Sequence, residues 1–409
     1  MVAQHGTVNP VIGGWSETLE DLQQRISGRF GRSEARERVK RYLVGLLGRV
    51  ERKNGWQLAE AIGDKDPQGV QRLLNSAKWD ADLVRDDLRE YVVEHVGDEE
   101  SGVLITDETG FLKKGHKSVG VARQYTGTAG DTVNCQVGVF LAYASNKGAA
   151  FIDRALYLPE QWANDPKRRT EAGVPEEVAF ANKVELAKRM LQRAFEVGVP
   201  ARWVAADSFY GRSHEFREWL EEHGRAYAVM VPKTNAVSLG GRKKKIEQLA
   251  ERLGEDAYSE VLPAEDSGQR HPWEWATLGL AADPKKGMSR WLLVRRGSDD
   301  PEDITFYQAY GPEDTSVEEL VRVCQERWAI ESAFEEAKGE IGMDHYEVRK
   351  WDAWHRYVTL CLLAHAFLAV TRLATSNEEA SRKKGFRVRS DPADGVGGKE
   401  RFARHGRAG

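Results

Sequence analysis

Two short apolar runs, each closed by an aspartate, do most to limit what this chain can fold into. Val103, Leu104 and Ile105 lead to Asp107, and Trp203, Val204, Ala205 and Ala206 stop at Asp207. Each run is too short and too uniformly apolar for an amphipathic helix, and reads as a strand buried in a sheet. Between and around them lie further strand-like stretches, VGVARQYTG, NCQVGVFLAYAS and AYAVMV, interleaved with helical periodicity over residues 182–197 and 213–223. The expected fold class is therefore α/β, a mixed sheet with helices.

The rest of the chain divides by pattern. Residues 1–97 read as an all-α unit, with helices over 19–29, 34–50, 57–62, 68–77 and 80–95 separated by Gly and Pro. Its stretches WQLAEAIG and GVQRLLNSAKW, joined by a short turn, have the outline of a helix-turn-helix, an outline common to many helical domains. Residues 98–232 hold the sheet strands, and 233–313 form a mostly β insertion with WEWATLGL, RWLLVRR and ITFYQAY as strands. Residues 314–375 return to helix. The Gly- and charge-rich segment 376–409 has little apolar periodicity and is expected to be disordered.

Charge and cysteine usage exclude several classes. A formal net charge of −4 rules out a uniformly basic protein. Yet ten basic residues against three acidic ones lie between Arg25 and Lys53, Arg38 and Arg41 among them, a patch able to track phosphates or simply a solvated helix face. The three cysteines, Cys135, Cys324 and Cys361, are widely spaced and lack CxxC spacing, so neither a disulfide framework nor a structural zinc site is expected. No signal peptide is read at MVAQHGTVNP. The apolar run over 358–370 is interrupted by Thr359 and His365 and is short for a bilayer, so no membrane partner and an intracellular location are expected.

A third feature is the stretch VRVCQERWAIESAFEEAKG, residues 321–339. On a helix of about 100° per residue, Arg327, Glu331, Phe334 and Lys338 fall within an arc of roughly 60°, with Cys324 beside them. A cation, a carboxylate and a second cation on one stripe next to Ile330, Ala333 and Ala337 put charge at the edge of a core-facing surface. An ordinary surface helix with i,i+4 ion pairs accounts for the stripe equally well.

Taken in order, LITDETGFLKKGHKSVGVARQYTGTAG, VAADSFYG and RWAIESAFEEAK resemble the motifs of DDE transposases of bacterial insertion sequences, most closely the insertion-sequence 701 family, related to the insertion-sequence 4 group. The resemblance spans about residues 14–370. It implies an RNase H-like catalytic core interrupted by the β insertion, a helical DNA-binding domain before it, and Asp107, Asp207 and Glu331 as catalytic triad and metal ligands. The group's last-helix signature is Tyr, two residues, Arg, three residues, Glu, six residues, Lys. Arg327, Glu331 and Lys338 match it, while the Tyr position holds Cys324. By the same resemblance Arg327 and Lys338 contact DNA phosphates and Trp328 stacks on a flipped base.

Three carboxylates and no His or Cys cluster suit Mg²⁺ or Mn²⁺ over zinc, two ions in all. Glu335, about 40° round the helix from Glu331, is a rival for its place, whereas Glu336 lies off the stripe and Glu108 points to the other face of its strand from Asp107. Lys113, Lys114 and His116 follow the first aspartate in a glycine-bounded loop and are candidate phosphate contacts. The expected function is cut-and-paste DNA transposition. The partners are double-stranded DNA, as element ends and target, and a second copy when bound to DNA, in the bacterial nucleoid. A decayed remnant that only binds DNA would carry the same residues.

Overall fold

The computed structural model describes residues 10–261, 273–283, 287–298, 300 and 302–388. Five helices come first: α1 (Pro10–Ser27), α2 (Ser33–Leu47), α3 (Gly55–Ala61), α4 (Gln68–Asn75) and α5 (Ala81–Val96). Asn54 and Asp80 cap α3 and α5 by accepting from backbone N–H groups of their first turns, which fixes where those helices begin. Then follow β1 (Val103–Leu112), β2 (Ala122–Thr126), β3 (Asp131–Ser145), β4 (Gly148–Leu156), the short α6 (Glu160–Ala163) and α7 (Pro166–Ala172), and α8 (Lys183–Glu196). The next group is β5 (Trp203–Ala206), α9 (Ser208–Gly211), α10 (His214–Glu222), β6 (Ala226–Val231), the hairpin β7 (Ala236–Leu239) and β8 (Arg242–Lys245), and α11 (Ile246–Ala250). Last come β9 (Ser259–Val261), β10 (Trp273–Asp283), β11 (Met288–Gly297), β12 (Ile304–Pro312), α12 (Val317–Glu326), α13 (Trp328–Gly339) and α14 (Trp351–Val388).

The sheet is organised around β1. Its neighbours are β3, antiparallel, and β5, parallel; β4 lies antiparallel on the far edge of β3 and β6 parallel beyond β5. The order β4-β3-β1-β5-β6, with only the second strand reversed, is the RNase H-like arrangement that the motifs imply. The fold is thus the expected mixed α/β class. β2 shares β3's outer edge with β4.

The β-rich stretch is not a separate body. β12 pairs antiparallel with β6, and β11, β10 and β9 follow in turn, so one sheet of ten strands runs through the protein. The edge of β6 would otherwise expose unpaired backbone groups, and β12 covers it. Of the tryptophans of this region, Trp275 is buried against Tyr307, while Trp273 and Trp291 are half-buried, Trp273 beneath the Arg295 guanidinium.

Strand alternation sorts the two faces. Glu108 on β1 meets Lys183 of α8, whereas Phe140, paired with Asp107, meets Phe334 of α13. Helix α14 covers β4 on the α13 side and also reaches the amino-terminal helices: Arg356 donates to the carbonyls of Leu74 and Trp79. By length and composition its first 26 residues could cross a membrane, but about two thirds of that apolar segment is buried within the protein. The same helix runs on through Val388, so the first part of the segment expected to be disordered is helical here. Residues 389–409 lie outside the described residues.

α5 packs along β4, and an ionic cluster is buried between them. A register shift in the β3–β4 pairing lets Asp153 face α8, where it accepts from Arg193 Nε at 3.0 Å and from Arg85 Nη1 at 2.9 Å. Arg154 faces the other way, donating to Thr359 Oγ1 of α14 at 2.8 Å and to Asp82 Oδ1 at 2.7 Å.

Candidate active site

The parallel register pairs Thr106 with Ala206. Asp107 and Asp207 are the next residues on the two neighbouring strands, so both carboxylates arise at one end of the β1–β5 seam. β1 continues past Asp107, while the chain turns at Asp207, whose Oδ1 accepts from the Phe209 and Tyr210 N–H groups and caps the single turn of α9. The helix-cap role that is the ordinary explanation of such an aspartate is real here, and it engages one of the two oxygens. Asp107 Oδ1 accepts from the Glu108 N–H at 2.7 Å.

The two carboxylates are not at ease. Burial, then the charges of Asp207 and Glu108, push the Asp107 carboxyl well above the usual range, and burial together with Glu108 raises Asp207 despite its two backbone donors. A cation lowers both: the Arg327 guanidinium acts on Asp107 and on Asp207. Arg327 is 3% exposed at the junction of α12 and α13, and its Nη1 donates to Glu331 Oε1 at 2.6 Å. One arginine therefore pairs with Glu331 and lowers both aspartates through its charge.

Lys338, two turns further along α13, reaches β1. Its Nζ donates to Thr109 Oγ1 at 2.7 Å and to Thr128 Oγ1 at 3.2 Å, and burial lowers its pKa. The close approach of the turn after β2 depends on Gly110, where a Cβ would stand 2.0 Å from Thr126 Oγ1. Thr109, Thr128 and Gly110 were not singled out from the sequence. They lie in the first motif, but nothing in spacing ties them to a lysine more than 200 residues later.

The remaining candidates are placed as follows. Trp328 packs under the Arg327 guanidinium, 4.2 Å from its ring centroid. Lys113 turns inward, donating to the Tyr346 carbonyl at 3.0 Å and lying 3.4 Å from that ring's centroid, and burial brings its pKa down to about 8. Lys114 and His116 are exposed. Arg38 and Arg41 both pair with Asp64, and Arg25 and Arg29 pair with Glu94 and Asp87, so four of the ten basic residues in that stretch are matched by acids outside it. Cys324 is fully buried, and burial raises its thiol pKa. Of the rival carboxylates, Glu335 is exposed, Glu108 pairs with Lys183, and Glu336 is held down to about 2 by His365 and Arg372.

The donor set suits a hard divalent cation: carboxylate oxygens only, two of the groups forming a half-buried, mutually repelling pair. Among the described residues no three His, Cys, Asp or Glu side chains stand close enough together to enclose an ion, and Glu331 is turned to Arg327. The three candidate carboxylates do not converge on one point.

Residues 25–299 match the family model described as DDE superfamily endonuclease. That span includes Asp107 and Asp207 and ends before Arg327 and Glu331. The chain is also 26% identical over 307 residues to a protein of Microchaete diplosiphon described as a probable transposase for insertion sequence element IS701, with 75% of each chain covered.

Proposed function

This chain belongs to the DDE superfamily endonucleases, and from that membership and the site geometry we propose that it is the transposase of an insertion sequence. It binds the element's terminal inverted repeats and carries out metal-dependent cleavage and strand transfer by a cut-and-paste route, acting as a dimer on double-stranded DNA. The observation that carries the reading is the register of β1 and β5, which sets Asp107 and Asp207 side by side. The similarity to the Microchaete diplosiphon protein supports the choice of transposition over other DNA cleavage.

In this reading Asp107, Asp207 and Glu331 hold the ions. Two Mg²⁺ or Mn²⁺ ions, when bound, supply the charge that activates a water or a 3′-hydroxyl and stabilises the leaving oxygen. The protein's own contribution is electrostatic and positional. The half-buried aspartate pair disfavours its own full ionisation and so favours a cation. Arg327 and Lys338, on the helix stripe that carries Glu331, present positive charge to the phosphates flanking the scissile bond, and Trp328 offers a ring for stacking. Lys114 and the exposed Arg32, Arg49 and Arg52 steer the duplex.

A plasmid excision assay tests the proposal. A donor carrying the inverted repeats that flank the reading frame should lose the element when the chain is supplied with Mg²⁺. Specific end binding without excision would reduce the protein to a DNA-binding remnant.

A further inference from the structure

Arg327 stands where α12 ends and α13 begins, so the two helix dipoles act on it in opposite senses, and it precedes Glu331 in the less favourable order for an i,i+4 pair. It is also buried, with its Nε lacking a hydrogen-bond partner among the described residues, so it is not a solvated surface ion pair. A desolvated guanidinium persists only where anions compensate it. Here they are Glu331 by direct contact and Asp107 and Asp207 through the field, while Arg295 adds a second cation on the Cys324 side. Glu331 itself is 40% exposed, so it can leave the pair without crossing the core.

We propose that Arg327 is a competing cation built into the site, contending with divalent ions for Glu331 and thereby setting how tightly the site binds them. This rests on the assignment of Asp107, Asp207 and Glu331 as metal ligands. It assigns Arg327 a positioning role opposite in sign to a simple phosphate contact. A cation that only contacts phosphate acts on the ion through its field alone, with or without Glu331; a competitor also occupies a ligand oxygen, so its effect depends on Glu331. The physical argument is Coulombic. A monovalent cation held 2.6 Å from a ligand oxygen both occupies that oxygen and repels an incoming divalent ion, and at a partly desolvated site this is worth a large fraction of the binding energy. When an ion binds, the Arg327–Glu331 hydrogen bond is exchanged for an ion–carboxylate bond, and the guanidinium is released to serve an arriving phosphate.

The test is Mn²⁺ binding to the full chain without DNA, read from the loss of the free-ion electron paramagnetic resonance signal. Arg327→Met fills the buried space of the side chain without its charge. It should bind Mn²⁺ roughly tenfold tighter or more than the unmodified chain, and most of that gain should be lost in Arg327→Met/Glu331→Gln, leaving only the part due to the field at Asp107 and Asp207. Arg327→Lys keeps the charge without the guanidinium fork and should fall between; it is the variant to read if the methionine variant does not fold by circular dichroism. Affinity at or below that of the unmodified chain in whichever variant folds overturns the proposal. Asp107→Asn separates this from the underlying assignment. If it leaves Mn²⁺ binding unchanged, the metal-ligand reading itself fails, whatever the Arg327 variants do.

Discussion

The Lys338 ammonium donates to Thr109 Oγ1 at 2.7 Å, and Thr109 lies two residues beyond Asp107 on the same face of β1. This contact joins the helix that carries Glu331 to the strand that carries Asp107, the two partners being 229 positions apart in sequence. The lysine is thus both a strut between two parts of the site and a charge beside it.

Removing the strut should separate those roles. Lys338→Met is expected to lose about 1 kcal/mol of stability from the hydrogen bonds to Thr109 and Thr128, and Lys338→Arg less. If the charge serves DNA, cleavage should drop far more in the methionine variant than in the arginine variant, at equal folded fraction. Urea unfolding and a nicking assay on the same samples measure both.

The three acidic positions should behave alike. Asp107→Asn, Asp207→Asn and Glu331→Gln are each expected to lower Mg²⁺-dependent nicking by at least roughly a thousandfold while end binding is retained. A variant that still cleaves removes its residue from the triad, and Glu335 is then the replacement to test on α13.

Asp153 is buried beneath Arg85 and Arg193. Asp153→Ala takes the shared carboxylate from both cations, leaving Arg85 to Asp82 and Asp86 and Arg193 to solvent, and should cost about 3 kcal/mol in denaturant unfolding. Replacing the exposed pair Lys233–Glu247 should be nearly neutral.

His355 gives the protein an acid-sensitive contribution. Burial and the neighbouring Arg154 bring its pKa down to about 3. The unfolded chain takes up its proton near pH 6.5 and the folded one does not, so the contribution is intact above that pH. It is lost progressively as pH falls toward 3. Melting temperatures from pH 7.5 to 4.5 should fall less steeply for His355→Gln; an unchanged slope would show that the imidazole is solvated.

The amino-terminal helices should not fold alone. Arg356 of α14 donates to the Leu74 and Trp79 carbonyls, and α1, α2, α4 and α5 all pack on the same helix. A fragment ending near Val96 is expected to bind a hydrophobic dye and to unfold without a cooperative transition. DNA binding by this region is therefore best measured on the full chain.

Much of the site's layout was legible because it rests on local chemistry. Apolar runs ending in aspartate could only be buried strands. A 3.6-residue period was enough to set Arg327, Glu331 and Lys338 on one stripe, and the motifs that contain these residues pointed to the family. The structure adds that Asp207 is a helix cap as well, and that Arg38, Arg41 and Lys113 are engaged inside the protein.

The sequence by itself determined the elements and the face on which each charged side chain emerges, since backbone periodicity depends only on near neighbours. Only the tertiary structure decided the partners. The parallel pairing of β1 with β5 set two aspartates abreast, and β12 covered the edge of β6 so that the inserted strands joined the main sheet. Burial beside three carboxylates turned Arg327 from a plausible surface cation into the counter-charge of the site. Partner choice depends on pairing between residues far apart in the chain and on the loss of water around them, and neither is written in the spacing of residues along it.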